Sequence, residues 1–386
     1  MKKKIIITSV ILLLVYFLTV LIAPPLLDTS QNKTTWNVAE LSNEAKELYE
    51  KLDFVGDLHS DALLWDRDLS KKSKRGHVDF HRMSENNVAF QVFTIVTKSP
   101  KGHNFESTDG NTFDNITLLS ILQGKSVYNW FSLFNRAVYQ CNKLKSYADA
   151  YDKNFIILRE KKDLVDLLNK RKKDKKVIGG LIGIEGGHCL EGKIENVSKL
   201  YSSGVRMFGV SHFFDNKLGG SAHGIEKGGI TEFGKQVLKE MDERNMILDI
   251  AHTSDKMIRD ILKLYKGPIV SSHTGVDGVK ESYRNLSDEQ LKSLAKREAL
   301  IGIAFFSEAI GDTEIKSIVK TMKYVKELIG VEYLSLGSDF DGSVTTPIDV
   351  TGYSYLVDEM LQQNFTEKEI EMIMGGNLKK FLLKNL

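Results

Sequence analysis

Residues 54–61 read FVGDLHSD, an apolar run that ends in two polar residues, His59 and Asp61. The same order recurs at four later places, where an apolar run is followed by an acidic residue or a histidine. These runs and their polar residues are 177–184 with Glu185, 247–250 with His252, 268–270 with His273 and 334–336 with Asp339. In a parallel barrel the carboxyl ends of all the strands lie on one face. The repeated order therefore predicts that these side chains meet at that face.

Eight strand candidates alternate with amphipathic segments of helical length, for example 231–244 and 255–265. The candidates are 54–58, 88–96, 177–184, 205–210, 246–250, 268–271, 300–306 and 333–336. This alternation predicts an α/β fold, a (β/α)8 barrel of the TIM type, rather than an open sheet. The second and third candidates are too far apart for a single connecting helix. We therefore expect a helical insertion between strands 2 and 3, with helix over 117–150.

The N-terminus predicts a transmembrane helix. Residues 5–23 carry no charge, and at about 1.5 Å per residue they reach roughly 28 Å, close to the hydrocarbon thickness of a bilayer. The lysines at 2–4 favour a cytoplasmic N-terminus and a barrel domain outside the cytoplasm. We expect residues 1–28 to be an uncleaved membrane anchor and 29–386 the barrel domain, entered through a polar stalk and a helix over 38–52. The alternative is a cleaved signal sequence and a secreted protein.

The charge balance argues against a nucleic-acid partner. The 386 residues include 53 Lys and Arg against 51 Asp and Glu, so no basic excess is present to neutralise a phosphate backbone. Cys141 and Cys189 are the only cysteines, and two cysteines define no disulfide framework.

The polar residues that follow the apolar runs have the composition of a metal site. His59 and Asp61 are two residues apart, so an extended backbone directs both side chains to the same side. Glu185 lies between glycines in GIEGG (183–187), which let the backbone approach closely and leave the carboxylate free to bridge two cations. His252 and His273 are 21 residues apart, about one βα repeat. Mixed imidazole and carboxylate ligands suit Zn²⁺ or a similar first-row metal, as in a metal-dependent hydrolase.

Seven motifs make the chain resemble a known family, the renal-type membrane dipeptidases, which are zinc dipeptidases of the amidohydrolase superfamily. The motifs are GDLHSD (56–61), GIEGG (183–187), GITEFG (229–234), DIAHTS (249–254), SH (272–273), RNL (284–286) and GSDFDG (337–342). The resemblance extends from about residue 54 to residue 386, and the order and spacing of the motifs are specific as a set. The chain departs from the family at Phe213, where Asn is usual.

The resemblance implies a ligand set for two zinc ions. It assigns His59 and Asp61 to one ion, His252 and His273 to the other, and Glu185 to both as a bridge. It further implies that Asp339 handles the proton of the attacking water and that His212 polarises the scissile carbonyl. Arg284 would hold the substrate carboxylate with a planar fork of donors.

The expected function is hydrolysis of dipeptides that carry a free C-terminal carboxylate, and the resemblance adds tolerance of a D-residue at the C-terminal position. The expected partners are the dipeptide and the membrane, with a homodimer as a candidate assembly. One alternative is another metal-dependent amidohydrolase, a deacylase or lactonase; Arg284 separates the two, since only a substrate with a free carboxylate needs it. A second alternative is a catalytically silent metal-binding surface protein, and the retention of every ligand together with Asp339 counts against it.

Overall fold

Eight parallel strands close into a barrel in the computed structural model, which describes residues 2–151 and 154–386. The barrel strands are β1 (Val55–Ser60), β2 (Val88–Val96), β3 (Ile178–Glu185), β4 (Val205–Gly209), β5 (Ile247–Asp249), β6 (Ile269–Thr274), β7 (Leu300–Ile303) and β8 (Leu334–Leu336). Each strand pairs with the next one in chain order, and β8 pairs with β1 to complete the ring. The predicted (β/α)8 barrel is confirmed.

The barrel strands carry continuous apolar runs because both of their faces are covered. Every residue of β1, β2 and β3 is buried, and parallel strands that are buried on both faces read as aliphatic runs without alternation. The strand ends differ from the prediction by a few residues. Because β1 extends to Ser60 and β6 to Thr274, His59 and His273 lie within strands rather than after them.

The helices surround the barrel and cover its outer face. In the described ranges they are α1 (Lys2–Gln31), α2 (Asn43–Lys51), α3 (Phe80–Glu85), α4 (Asn115–Leu122), α5 (Val127–Phe131), α6 (Leu133–Ala150), α7 (Lys161–Arg171), α8 (Glu195–Ser202), α9 (Glu232–Asp242), α10 (Asp255–Leu264), α11 (Asp288–Ala295), α12 (Ser307–Ile310), α13 (Ile315–Ile329), α14 (Tyr353–Gln362), α15 (Glu367–Glu371) and α16 (Asn377–Asn385). Helix α10 is typical: Ser254 caps its N-terminus, and Met257, Ile258 and Ile261 form its buried face.

The insertion between β2 and β3 is helical over 117–150, as the sequence predicts, with short breaks. Three helices, α4, α5 and α6, occupy the region. The breaks have a local cause, because Ser126 and Ser132 each accept a hydrogen bond from a backbone N–H at the start of α5 and α6 and so begin a new helix at each serine. A short strand, Phe155–Ile157, then adds to the outside of the barrel by pairing with β3.

The N-terminal helix α1 continues through Pro24 and Pro25 to Gln31 and ends against the barrel. Asp28 is buried and pairs with Arg67 Nε at 2.9 Å, and residues 33–34 form a parallel bridge with 345–346. The expected polar stalk is therefore wrong, because this segment is docked. The helix expected over 38–52 begins only at Asn43, since Ser42 caps it. By length and composition α1 is able to cross a membrane, with a mean hydropathy of 3.0 in its most apolar window.

Candidate metal centre

Five strands bring the predicted ligands and the predicted acid–base residue to the carboxyl end of the barrel, where all of them are buried. They are His59 on β1, Asp61 just after it, Glu185 at the end of β3, His252 after β5, His273 on β6 and Asp339 after β8.

The carboxylate of Glu185 lies at the centre of this cluster. Its Oε1 is 3.1 Å from His252 Nε2, 3.5 Å from His273 Nε2 and 3.6 Å from His59 Nε2. Its Oε2 is 3.5 Å from Nε2 of His212, which follows β4. Four imidazoles therefore face the two oxygens of one carboxylate.

His59 joins Glu185 to two further carboxylates. Its Nε2 lies 3.5 Å from Asp61 Oδ1 and 3.7 Å from Asp339 Oδ1. The donor atoms form three overlapping groups, each with its members within 4.8 Å of one another: His59 with Asp61 and Glu185, His59 with His273 and Asp339, and Glu185 with His212 and His252.

A buried hydroxyl determines which ring nitrogen carries the proton in two of the histidines. Ser272 Oγ lies 2.6 Å from Asp249 Oδ2 and 2.9 Å from Nδ1 of both His59 and His273. The hydroxyl donates its one proton to the carboxylate, and its two lone pairs accept hydrogen bonds from the two rings. Both histidines therefore carry hydrogen on Nδ1 and direct Nε2 into the cluster, and burial holds the pKa of His273 well below its usual 6.5, so that its Nε2 is unprotonated.

His223 orients the third histidine in the same way. Its Nδ1 lies 2.8 Å from the carbonyl oxygen of Phe105, which only accepts, so Nδ1 carries the hydrogen. Burial, with repulsion from Arg284, lowers the pKa of His223 to about 3, so its ring is neutral and Nε2 is an acceptor. That atom lies 3.1 Å from His252 Nδ1, which therefore donates to it. His252, too, is left with an unprotonated Nε2 facing the cluster.

This donor set fits metal ions. His252 Nε2 and His273 Nε2 are 3.0 Å apart, a separation at which two lone pairs repel unless a cation lies between them. His59 Nε2 is buried and has no hydrogen-bond partner within 2–151 and 154–386. Neutral imidazoles oriented through the other ring nitrogen by a carbonyl, a hydroxyl or a carboxylate are the usual arrangement of histidine metal ligands.

The electrostatic potential of the cluster favours positive charge. Burial raises the pKa of Glu185, but His212 and His59 outweigh it and hold that pKa well below its usual 4.5. Burial lowers the pKa of His59, but Glu185 and Asp61 outweigh it and hold that pKa well above its usual 6.5. The potential that favours a proton on His59 Nε2 equally favours a metal cation there.

Burial has a different outcome for the pKa of Asp339 than for the pKa of Glu185, because here it is not outweighed. It raises the pKa of this carboxyl, and repulsion from Asp61 and Glu185 adds to the rise, so that the pKa lies well above its usual 3.8. A carboxyl with a raised pKa is suited to take and return a proton near neutral pH.

Two residues of the cluster have left-handed backbone conformations. The φ angles of His252 and Asp339 are both +61°. Such conformations are uncommon for residues other than glycine and concentrate at functional sites, where the surrounding structure holds them. After Glu185 the chain turns at Gly186, with φ +90°, and a Cβ there would lie 2.3 Å from the ring of His188. The turn that directs Glu185 inward therefore requires glycine.

The remaining predicted residues lie close to the cluster in different environments. Arg284 is 3% exposed; its Nη2 donates to the carbonyl oxygen of His273, while its Nε has no hydrogen-bond partner in the described parts of the chain. His212 Nδ1 is likewise without one there. Asp341, the second aspartate of the motif GSDFDG, accepts from the backbone N–H of His77 at 2.7 Å and pairs with Arg67 Nη2 at 2.7 Å.

A cavity of ≈ 230 Å³ opens onto the cluster. Its polar floor includes Glu185 and Asp339, and its walls include three phenylalanines, Phe105, Phe213 and Phe306. The ring of Phe213 lies 4.9 Å from that of His212 and 5.2 Å from that of His252. The volume of the cavity is below the roughly 300 to 1,000 Å³ of sites for drug-sized ligands, which favours a small substrate.

With this geometry established, the comparison with known families is decisive. The sequence pattern described as membrane dipeptidase, peptidase family M19, matches residues 38–384. The chain belongs to the membrane dipeptidase family. It is therefore a hydrolase of the dipeptidase class, in a family whose members depend on metal ions.

Solved structures of metallopeptidases and dipeptidases have a similar fold. The M19 metallopeptidase dipeptidase AC is 21% identical, with 86% of this chain and 98% of that chain covered and a TM-score of 0.70. A metallopeptidase from Rhodobacter sphaeroides, liganded with a phosphinate mimic of the dipeptide L-Ala-D-Ala, is 20% identical over 86% and 99%, with a TM-score of 0.67. The probable dipeptidase PvdM from Pseudomonas aeruginosa is 16% identical over 89% and 98%, with a TM-score of 0.72.

Sequence reasoning missed the residues that orient the ligands in this membrane dipeptidase. Ser272 and Asp249 belong to the motifs without a role of their own, and His223 lies outside all seven motifs. The available signal was position: Asp249 ends the run that precedes His252, and Ser272 directly precedes His273. Their function depends on hydrogen bonds between strands, which no single run of sequence displays.

Proposed function

We propose that the protein is a binuclear zinc dipeptidase, held in a membrane by α1 with its barrel outside the cytoplasm. The observation that carries the proposal is the orientation of His59, His252 and His273, whose Nε2 atoms all face the carboxylate of Glu185.

Two sets of residues would hold the ions. His59 and Asp61 would take one ion, His252 and His273 the other, and Glu185 would contact both. Zinc ions bound there would act as Lewis acids on the scissile carbonyl and lower the pKa of the attacking water.

The protein's own groups would move the proton and stabilise the developing charge. Asp339, with its raised pKa, would accept a proton from the attacking water and return it to the leaving amine. His212 lines the cavity, and its Nε2 lies 3.5 Å from Glu185 Oε2. It is placed to donate a hydrogen bond to the carbonyl oxygen as negative charge develops there.

Arg284 would make the enzyme selective for the length of the substrate. A guanidinium fixed through its bond to the carbonyl of His273 sets the distance between the scissile carbonyl and the substrate carboxylate. One residue would fit between these two groups, so dipeptides would be cleaved and longer peptides would not. The buried Nε of Arg284, which has no hydrogen-bond partner among the described residues, supports this reading.

Acceptance of a D-residue at the C-terminal position completes the proposal. The ligand of the Rhodobacter sphaeroides metallopeptidase mimics L-Ala-D-Ala, a dipeptide with a D-residue at that position, which supports the same tolerance in this chain. The apolar walls formed by Phe105, Phe213 and Phe306 would accept small aliphatic side chains.

The test uses the full-length protein, its metal content and a panel of substrates. We expect two zinc ions per chain and hydrolysis of L-Ala-L-Ala and L-Ala-D-Ala, with little hydrolysis of the tripeptide or of the dipeptide amide. Arg284→Ala should lower kcat/KM for the dipeptide about ten- to a hundredfold, the equivalent of about 1.5 to 3 kcal/mol for a charge-assisted pair, and barely alter any cleavage of the amide. Arg244→Ala, which removes a surface pair with Glu240, is the matched control.

Equal cleavage of the dipeptide and its amide by the unmutated enzyme would contradict the carboxylate reading and favour a general amidohydrolase. Absence of hydrolysis from a protein that contains both metals would favour the silent metal-binding alternative.

A further inference from the structure

Helices α4 and α5 of the insertion expose a cluster of large apolar side chains. We call Leu118, Val127, Tyr128 and Phe131 the insertion patch; Tyr128 is 74% and Phe131 83% exposed. Val127, Tyr128 and Phe131 are spaced so that they share one face of α5, whereas Asn129 points to the buried side. A soluble protein rarely leaves such a group of contiguous apolar side chains in water without a partner.

The sequence around the patch is almost free of charge. Residues 115–134 contain one charged residue, Lys125. The positive charge of Lys125 is balanced by its neighbours, because Nζ lies 3.1 Å from Asp66 Oδ1 and over the ring of Tyr139. The segment that carries the patch therefore contributes little charge of its own to favour water over an apolar medium.

The patch belongs to the part of the protein that packs against α1. Tyr16 Oη donates to the carbonyl oxygen of Ile121 at 3.5 Å, and a Cβ placed on Gly124 would lie 3.3 Å from Val20 Cγ1. Lower on the helix, Leu27 packs against Ile116 and Leu119. The insertion therefore lies alongside the C-terminal part of α1.

This packing fixes the depth of the insertion in a bilayer. If the lysines at 2–4 stay on the cytoplasmic side, a hydrocarbon layer about 30 Å thick takes up about 20 residues of helix from Ile5 and ends near Pro24. Tyr16 is eight residues before Pro24, so its contact with Ile121 lies about 12 Å inside the outer edge of the hydrocarbon. The end of α4 and the start of α5 would then be surrounded by lipid.

We propose that the insertion patch enters the outer leaflet of the membrane beside α1 and forms a second membrane attachment. The inference rests on the proposed anchoring of the protein by α1. Aliphatic and aromatic side chains such as Leu118, Tyr128 and Phe131 are suited to the acyl-chain boundary.

A second attachment fixes the orientation of the catalytic face. The residues that follow α1 contact the segment at the edge of the cavity. Asn32 Oδ1 accepts from the backbone N–H of Ser343 at 3.0 Å, and Thr34 pairs with Thr346. Ser343 and the neighbouring Thr345 line the cavity. With α1 and the patch both in lipid, the barrel cannot pivot about a single helix, and the cavity mouth is kept near the membrane surface.

The test measures quenching of tryptophan emission by lipid. Full-length Phe131→Trp is reconstituted into phosphatidylcholine vesicles with or without brominated acyl chains, after mass spectrometry has verified an intact N-terminus. The control is Leu264→Trp, another exposed apolar position, at the end of α10 and hence at the opposite face of the barrel. Retained dipeptidase activity shows that both variants are folded.

We expect brominated lipid to quench the emission added by Phe131→Trp and to leave that added by Leu264→Trp unchanged. If both variants float with the vesicles and neither added signal is quenched, the patch proposal is overturned while the anchor stands. A second copy covering the patch would give that same unquenched signal together with a dimer in detergent. Failure of the full-length protein to float with vesicles would overturn the anchor and the patch together.

Discussion

Ser272→Ala is the substitution that most directly tests the metal centre. The Ser272 hydroxyl accepts from Nδ1 of His59 and of His273, at 2.9 Å each, and these two histidines are proposed to hold different ions. Removing the hydroxyl therefore loosens one ligand of each ion and leaves Asp249 Oδ2 without its 2.6 Å donor. Both ions should be bound more weakly.

The expected loss of metal affinity follows from the number of hydrogen bonds that the substitution removes. Loss of a partner that orients a metal ligand typically costs 10- to 100-fold in metal affinity, about 1.4 to 2.7 kcal/mol. One such bond is lost for each ion. In contrast, His223→Ala removes the orienting partner of His252 alone and should weaken one ion by the same factor while leaving the other unchanged.

The assay is zinc titration of the metal-free protein in competition with a chelator, with occupancy counted by elemental analysis. Ser335→Ala is the matched control, since Ser335 is also a buried serine on a barrel strand but its Oγ has no hydrogen-bond partner within the described residues. Unchanged affinities in Ser272→Ala would refute the reasoning on ligand orientation. Loss of the same single ion in both Ser272→Ala and His223→Ala would refute the assignment of His59 and His273 to different ions.

Three further outcomes are expected. Asp339→Asn should keep both metals and lose at least about a hundredfold in kcat, because an amide cannot accept the proton; full turnover with metals bound would make Asp339 structural. Glu185→Gln should lose more zinc by elemental analysis than His273→Ala, since Glu185 is proposed to serve both ions, and equal loss would count against bridging. Arg67→Ala should destabilise the protein by about 3 to 5 kcal/mol in thermal unfolding in detergent, because it strands the buried charges of Asp28 and Asp341. The control Arg75→Ala breaks a longer, 3.6 Å pair with Asp28 from a partly exposed position and should cost less than about 1 kcal/mol; equal effects would show that Arg67 is no more important than a surface residue.

The barrel and the main chemistry of the site were predictable from sequence for one physical reason. Strands covered on both faces require uninterrupted apolar runs, and a polar residue at the end of such a run is conspicuous. Glu185 after 177–184 and Asp339 after 334–336 were visible in this way. Because the carboxyl ends of parallel strands lie on one face of the barrel, residues far apart in the sequence could be predicted to lie close together in space.

Helix boundaries in the insertion were not predictable to the same degree. The segment 117–150 has enough apolar residues for one long helix, and its division into α4, α5 and α6 depends on how Ser126 and Ser132 use their hydroxyls. A serine within an apolar segment is compatible with a helix interior or with an N-cap, and packing decides between the two.

The sequence by itself determined the barrel, the apolar N-terminal helix and the residues proposed as ligands, because each is recorded locally in composition and order. Only the tertiary structure revealed the orientation of the ligands, through Ser272 and His223, and the docking of α1 through Asp28 and Arg67. These features consist of hydrogen bonds and ion pairs between elements far apart in the chain. Their formation depends on side-chain directions that exist only once the barrel has closed.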